Sequence, residues 1–321
     1  MRRSLFALLL GLVLAGAGAP GWNWPASVAA PVVPADNPMT AAKVALGRRL
    51  FYDADLSIDG TLSCASCHEQ RHGFADSVAA RPGATGEPGR RNAPGLTNVA
   101  WFARLTHADP AQTGLEAQVA VPLFDAHPVE MGMAGHEPEL VARLGRDACY
   151  RTMFASAFPA SAGRIDAEAI AKALASFERT MVSFGSAYDR GRLSPEAGAG
   201  QAVFRRACAS CHSGAHFSDM AYHRFDARDP PAADRGLIEK TGAPADLGKF
   251  RTAPLRNVAL SAPYWHDGSE PTLAGAIARH RLGLSGGDSA QVIAFLAGLT
   301  DAEFVSRKAL ARPVKACDRR L

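Results

Sequence analysis

Aromatic residues and excess charge are both scarce in this sequence. Aromatic side chains make up 7% of the 321 residues, and the formal net charge is +4 at pH 7. No block of lysine or arginine occurs away from the chain ends, so the charge pattern gives no support for nucleic-acid binding. A hydrophobic content of 47% excludes a disordered or fibrous chain. The length suits about two soluble domains.

Long hydrophobic runs are also missing after the first residues. The run Leu5–Ala15 follows two arginines and precedes small residues, and it is too short to cross a bilayer comfortably. This order predicts a signal peptide in residues 1–30, cleaved somewhere between 17 and 30. An uncleaved anchor is the alternative. We therefore expect a periplasmic protein with no membrane span after cleavage.

No convincing alternating strand pattern is present, and 30 glycines and 21 prolines indicate much loop, chiefly at 81–95 and 226–248. Helical spacing of apolar residues predicts a mainly α fold. With few aromatic side chains, a large buried prosthetic group would supply part of the core. The expected helix starts are Thr40, Asp166, Ser194, Thr272 and Asp288 or Ser289.

Four of the six cysteines form two C-x-x-C-H motifs. Cys64 and Cys67 precede His68, and Cys208 and Cys211 precede His212. Two thiols on one helical turn suit thioether bonds to a haem, and the following histidine suits an axial iron ligand. A zinc site made of the four cysteines is the alternative, but it leaves both histidines unexplained.

The other two cysteines, Cys149 and Cys317, lie far from the motifs. In an exported protein they could form a disulfide, and two unrelated buried thiols are the alternative. The motifs lie one in each half of the chain. We therefore expect a haem domain at 38–190 and a second at 191–321, which share the motif but little else.

Several further segments match one known pattern in order along the chain. They are Asn37–Tyr52, Arg91–Pro94, Val121–Phe124, Pro128–Gly132, Leu255–Val258 and Pro263–Gly268. With the two motifs they resemble the bacterial di-haem cytochrome c peroxidases and MauG-type enzymes, most closely the methanobactin-associated di-haem enzymes. The resemblance covers about residues 40–310. It implies two cytochrome c-like domains with long loops and haems near the domain interface.

The resemblance implies that the first haem reacts with peroxide and has His68 as its proximal ligand. The stretch at 75–90, where related peroxidases can carry a distal histidine, contains none. Glu130 falls on the distal carboxylate, which moves a proton between the oxygens of bound peroxide. Gln118 matches the distal glutamine.

At the second haem the resemblance implies His212 as proximal ligand, and His280 falls where relatives have methionine or tyrosine. We expect a bis-histidine haem of low potential. A tryptophan usually lies between the haems. Here His107 falls in that place and Trp101 lies nearby, so either residue is expected to serve inter-haem electron transfer.

A calcium ion between the domains is also implied. Asn92 would supply its side-chain oxygen, and Thr252 and Pro254 would supply their backbone carbonyls. Oxygen ligands of this kind suit Ca²⁺.

Together these residues predict a di-haem enzyme that uses H₂O₂ to form a high-valent iron state shared across two haems. The expected substrate is a side chain, a tryptophan, of a partner protein that is copper-associated. One alternative is a cytochrome c peroxidase that takes electrons from a small cytochrome. The other is a non-enzymatic di-haem electron carrier.

Overall fold

The computed structural model describes residues 22–224, 234–317 and 319–320, and it confirms a mainly helical fold. Residues 1–21 of the predicted signal peptide and part of the predicted loop at 226–248 lie outside the described residues. The helices are α1 Ala41–Phe51, α2 Cys64–Cys67, α3 Leu115–Phe124, α4 Glu137–Arg146, α5 Ala148–Ala157, α6 Ala167–Glu178, α7 Pro195–Ala207, α8 Ile238–Thr241, α9 Leu273–Arg279, α10 Gly286–Ala297 and α11 Ala302–Ser306.

Short elements complete the described chain. Strand β1, Tyr222–His223, pairs antiparallel with β2, Phe250–Arg251, and β3, Lys315–Ala316, pairs antiparallel with β4, Arg319–Arg320. Six single-turn 3₁₀ helices occur at Ala54–Leu56, Gln70–His72, Val99–Trp101, Pro159–Ser161, Pro244–Asp246 and Val258–Leu260.

Four of the predicted helix starts are confirmed. In each case the side-chain oxygen of the capping residue accepts a hydrogen bond from a backbone N–H in the first turn; the four are Thr40, Asp166, Ser194 and Thr272. The predicted start of α10 at Asp288 or Ser289 is wrong. Ser285 caps this helix, and its side chain accepts a hydrogen bond from the N–H of Asp288. The first two helical residues are glycines, which are poor helix formers, so the sequence pattern does not reveal this start.

The two halves repeat one backbone framework. Helix α1 packs against α6, and α7 packs against α10. Each pair crosses at a glycine: a Cβ added at Gly47 would lie 1.9 Å from the carbonyl oxygen of Ala173, and one added at Gly200 would lie 1.8 Å from that of Gln291. Glycine is required at both crossings because any side chain would force the helices apart. The halves thus share more than the sequence motif.

The last part of the chain returns to the first half. Phe304 and Leu310 belong to the apolar cluster around α1 and α6. The hydroxyl of Tyr52 in the first half donates to the carbonyl of Leu310 at 2.7 Å. A disulfide between Cys149 and Cys317 closes this contact, with the two Cα atoms 5.6 Å apart. Of the two alternatives for this cysteine pair, the disulfide is confirmed.

We expect loss of this disulfide to destabilise the first half. A Cys149→Ala/Cys317→Ala variant should lose about 2–4 kcal/mol of unfolding free energy, because a bond that closes a long loop restricts the unfolded chain. Urea unfolding of the haem-loaded proteins measures this difference. Mild reduction of the wild type should reproduce it, since thioethers resist reduction, and an unchanged midpoint in both experiments would contradict the prediction.

Among the described residues, none of the helices has both the length and the apolar character that crossing a membrane would need.

Candidate functional site

The first motif is held by the short helix α2. The N–H of Ser63 donates to the hydroxyl of Ser66 at 3.0 Å, which fixes the start of the turn that carries Cys64 and Cys67. The next residue, His68, has its ring Nδ1 2.8 Å from the carbonyl oxygen of Phe74. A carbonyl only accepts, so Nδ1 carries the proton and Nε2 carries the lone pair that could bind a metal.

The second motif repeats this arrangement at the end of α7. The ring Nδ1 of His212 lies 3.0 Å from the carbonyl oxygen of Phe217. Phe217 and Phe74 both have positive φ, 55° and 61°, which turns each carbonyl back toward the histidine. Burial lowers the pKa of His212 to about 4 and also lowers that of His68, so both rings are neutral at pH 7.

His280 faces His212 from the end of α9. Its Nδ1 lies 2.7 Å from the carbonyl oxygen of Ala276, so its Nε2 also carries the lone pair. The ring centroids of His280 and His212 are 6.3 Å apart. Metal–imidazole bonds are about 2 Å long, so two such bonds and the two ring radii fill this separation. The pair fits a single metal ion bound by both rings.

A cavity of about 340 Å³ surrounds these two histidines. Its walls are largely apolar, and its volume and lining suit a flat macrocycle bonded to Cys208 and Cys211. The lining includes Phe204, Leu255, Tyr264, Trp265, Leu273, Ile277, Val292 and Leu296 from the second half, and Asn92, Pro94 and His107 from the first. The second site therefore lies against the first half.

Glu130 lies near the first motif. Its loop is held to the end of α3, where the N–H of Met131 donates to the carbonyl of Pro122 at 2.9 Å. The carboxylate is close enough to raise the pKa of the Cys64 and Cys67 thiols. Its side chain is exposed, and partial desolvation by the surrounding atoms, together with the charge of Asp125, raises its pKa.

Gln118 lies on α3 one turn before Pro122, on the same helix face. The carbonyl of Pro122, at the end of the same helix, accepts the bond that holds the Glu130 loop. The side chain of Gln118 is half-buried.

His107 and Trp101 occupy separate places. Nε2 of His107 donates to the carbonyl of Asn92 at 3.0 Å, and the ring lines the cavity of the second motif. Burial lowers the pKa of His107 to about 3, so the ring is neutral. Trp101 instead packs on Phe184 and His216, with centroids 5.6 and 5.7 Å away.

The residues predicted to bind calcium line one cavity wall. The amide nitrogen of Asn92 donates to the carbonyl of Val78 at 2.7 Å, which leaves its Oδ1 as the possible ligand atom. The carbonyl of Thr252 already accepts from the hydroxyl of Ser218 at 2.8 Å. The guanidinium of Arg251 is buried beside them, and burial lowers its pKa to about 10. A cation here would therefore need anionic ligands in addition.

Sequence reasoning missed Glu178. It is 6% exposed, its Oε2 has no hydrogen-bond partner in the described part of the chain, and burial raises its pKa to about 8. It is close enough to raise the pKa of Cys64, so it lies near the first motif. The signal was available, because Glu178 follows Leu174 by four residues on the apolar stripe of α6.

Comparison with known proteins shows where the same framework occurs. A family model for di-haem cytochrome c peroxidase matches residues 41–196. The methylamine utilization protein MauG of Methylophilus methylotrophus is 34% identical over 76% of this chain and 73% of its own. The cytochrome c551 peroxidase of Pseudomonas aeruginosa is 33% identical over 82% and 80%. A solved MauG-like protein associated with microbial copper homeostasis is 36% identical, covers 92% of this chain and 99% of its own, and has a TM-score of 0.87.

Proposed function

Because this chain belongs to the di-haem cytochrome c peroxidase and MauG family, and is therefore a peroxidase-type oxidoreductase with two c-type haems, we propose that it uses H₂O₂ to oxidise a side chain of a partner protein. Cys64 and Cys67 would attach the first haem, and Cys208 and Cys211 the second. Bound haem would supply redox-active iron that gives electrons to peroxide and regains them from the substrate.

The two sites differ in the residues that are available to bind iron. His280 faces His212 across the second cavity, whereas the stretch at 75–90 after the first motif contains no histidine, and the carboxyl groups near Cys64 include Glu178 and Glu130. His212 and His280 would therefore hold the second iron together, whereas His68 would hold the first iron and leave it able to react with peroxide. A protein that only carries electrons would not need an iron that can react with peroxide.

Glu130 would act as the acid–base group of the first site. An ionised carboxylate can take the proton from the inner oxygen of peroxide and return it to the outer oxygen, which leaves as water. Gln118, on the helix whose end holds the Glu130 loop, would orient the peroxide by hydrogen bonding. His107, which lies against the second cavity, would support electron transfer between the sites.

For the substrate, we favour a tryptophan of a copper-associated protein in the periplasm. The similarity to a MauG-like protein associated with copper homeostasis supports this choice. Indole is also the most easily oxidised aromatic side chain. The second candidate is a cytochrome c peroxidase fed by a small cytochrome, which the similarity to the cytochrome c551 peroxidase supports.

A calcium ion held by Asn92, Thr252 and Pro254 belongs to the same proposal. The buried guanidinium of Arg251 beside them makes a bare cation unfavourable. Additional anionic ligands would compensate, so calcium should bind the haem-loaded protein only if the haem supplies them.

The test uses the haem-loaded protein and H₂O₂. A resting ferric EPR spectrum with one high-spin and one low-spin haem is expected, and two low-spin haems would contradict the proposal. After peroxide is added, a candidate partner encoded beside this gene should gain oxygen at a tryptophan by tandem mass spectrometry. If the oxidised haems decay only with a reduced small cytochrome c, the second candidate is correct.

A further inference from the structure

Three tryptophan rings lead outward from the boundary between the two halves. The ring centroids of Trp101 and Trp24 are 5.7 Å apart, and those of Trp24 and Trp22 are 5.3 Å apart. Both contacts are edge-to-face, a favourable arrangement for aromatic pairs. Trp24 and Trp22 are partly exposed. The three rings therefore form one continuous row that ends at the surface.

The inner end of the row touches the second motif's loop. Trp101 packs on the ring of His216, with centroids 5.7 Å apart. His216 follows His212 by four residues and directly precedes Phe217, whose carbonyl orients His212. Trp101 also packs against the apolar cluster of the first half, which Cys64 joins. Its ring therefore contacts the loop of the second motif and also packs against the core of the first half.

A hydrogen bond holds the outer segment on the body of the protein. The indole N–H of Trp101 donates to the carbonyl oxygen of Ala29 at 2.7 Å. A backbone carbonyl is a very weak base, so an oxidised Trp101 would keep its proton and remain a strong oxidant. It would then take an electron readily from the neighbouring ring of Trp24.

We propose that Trp101, Trp24 and Trp22 form a relay that carries oxidising equivalents from the haems to the surface, where an oxidisable aromatic side chain of the partner protein supplies the electrons. The relay rests on the proposed function. Each H₂O₂ takes up two electrons and two protons and gives two waters. The electrons enter singly at Trp22 and pass inward through Trp24 and Trp101. Each indole returns to its starting state, so the partner side chain is the net electron donor.

The relay requires that signal-peptide cleavage leave Trp22 and Trp24 in the mature protein. Cleavage in the early part of the predicted region, before residue 22, keeps both outer tryptophans. Cleavage near Ala29 removes them together with the hydrogen bond to Trp101. Intact mass of the exported protein should place the mature N-terminus before Trp22, and a mature chain that begins after Trp24 would overturn the proposal.

The direct test adds H₂O₂ to the haem-loaded protein with no electron donor. The relay must then supply the electrons itself, and an oxidised indole combines with water, so that tryptophan plus H₂O₂ gives oxygenated tryptophan plus water. Tandem mass spectrometry should find oxygen on Trp22 and Trp24. In a Trp24→Phe variant, oxygen on Trp22 should fall by about tenfold or more, because the electron path is interrupted.

A Trp22→Phe variant is the matched control, and it should leave Trp24 oxidised. Equal oxidation of Trp22 in wild type and Trp24→Phe would indicate direct attack by peroxide and would overturn the relay. The haem absorption spectrum distinguishes failure of the relay from failure of the proposed function. If peroxide leaves the wild-type haem spectrum unchanged, the proposed function fails and the relay with it. If the haem spectrum changes but Trp22 and Trp24 stay unmodified, only the relay is wrong.

Discussion

Replacement of Glu130 by glutamine should slow peroxide-driven oxidation of the haems by about 10²- to 10⁴-fold, the usual effect of removing a general acid–base group. Glutamine keeps the size and hydrogen bonding of the side chain but does not exchange a proton at neutral pH. Rapid-mixing absorption spectroscopy measures the rate. The resting spectrum and the unfolding midpoint should match the wild type, since the Glu130 loop is held by backbone bonds such as that of Met131 to Pro122.

The pH dependence identifies the group responsible. Partial desolvation raises the pKa of Glu130 above its usual value of 4.5, and the base is active only when ionised. The rate should therefore rise with pH through a pKa above 4.5, and this limb should vanish in Glu130→Gln. Asp125→Asn is the matched control. It removes the nearby charge that also raises this pKa, so the limb should move to lower pH at an unchanged plateau. A wild-type limb that persists in Glu130→Gln would assign it to another group.

Replacement of His280 by alanine should change the second haem from low spin to high spin. The iron would lose the imidazole that faces His212 at a centroid separation of 6.3 Å. Ferric EPR measures the change, and added imidazole should restore the low-spin signal. His280→Met should stay low-spin but raise the reduction potential, because a thioether ligand favours the reduced iron.

The control for this ligand is His223→Ala. His223 lines the same cavity, but its Nε2 pairs with the carboxylate of Asp219 at 2.7 Å. Its removal should leave the low-spin signal intact. An unchanged low-spin spectrum in His280→Ala would show that another residue completes the coordination of the second iron.

The parts that sequence predicts best are those encoded locally. Helix starts such as Thr40 and Asp166 depend on a side-chain oxygen that accepts a hydrogen bond from the backbone N–H three residues later. Each C-x-x-C-H motif likewise contains its chemical groups within five consecutive positions. The start of α10 was misplaced because two glycines hide the cap at Ser285. Local signals thus succeed until a poor helix former separates the cap from the apolar stripe.

The repeated framework could not be inferred in the same way. Its shared features are backbone features, such as the helix crossings at Gly47 and Gly200 and the positive φ of Phe74 and Phe217. A few isolated residues encode each of them, while the neighbouring sequence differs between halves. Pairing of Cys149 with Cys317 depends on a contact between residues that are distant in sequence. Such contacts produce little signal in the local amino-acid sequence.

The return of the chain end to the first half has a consequence for biogenesis. The apolar cluster around α1 and α6 is complete only when Phe304 and Leu310 arrive, and Cys317 must emerge before it can bond Cys149. In an exported chain the first half would therefore stay incomplete until the segment that carries Cys317 has crossed. This delay would leave Cys64 and Cys67 open to the machinery that attaches haem, with the disulfide closing the assembly afterwards.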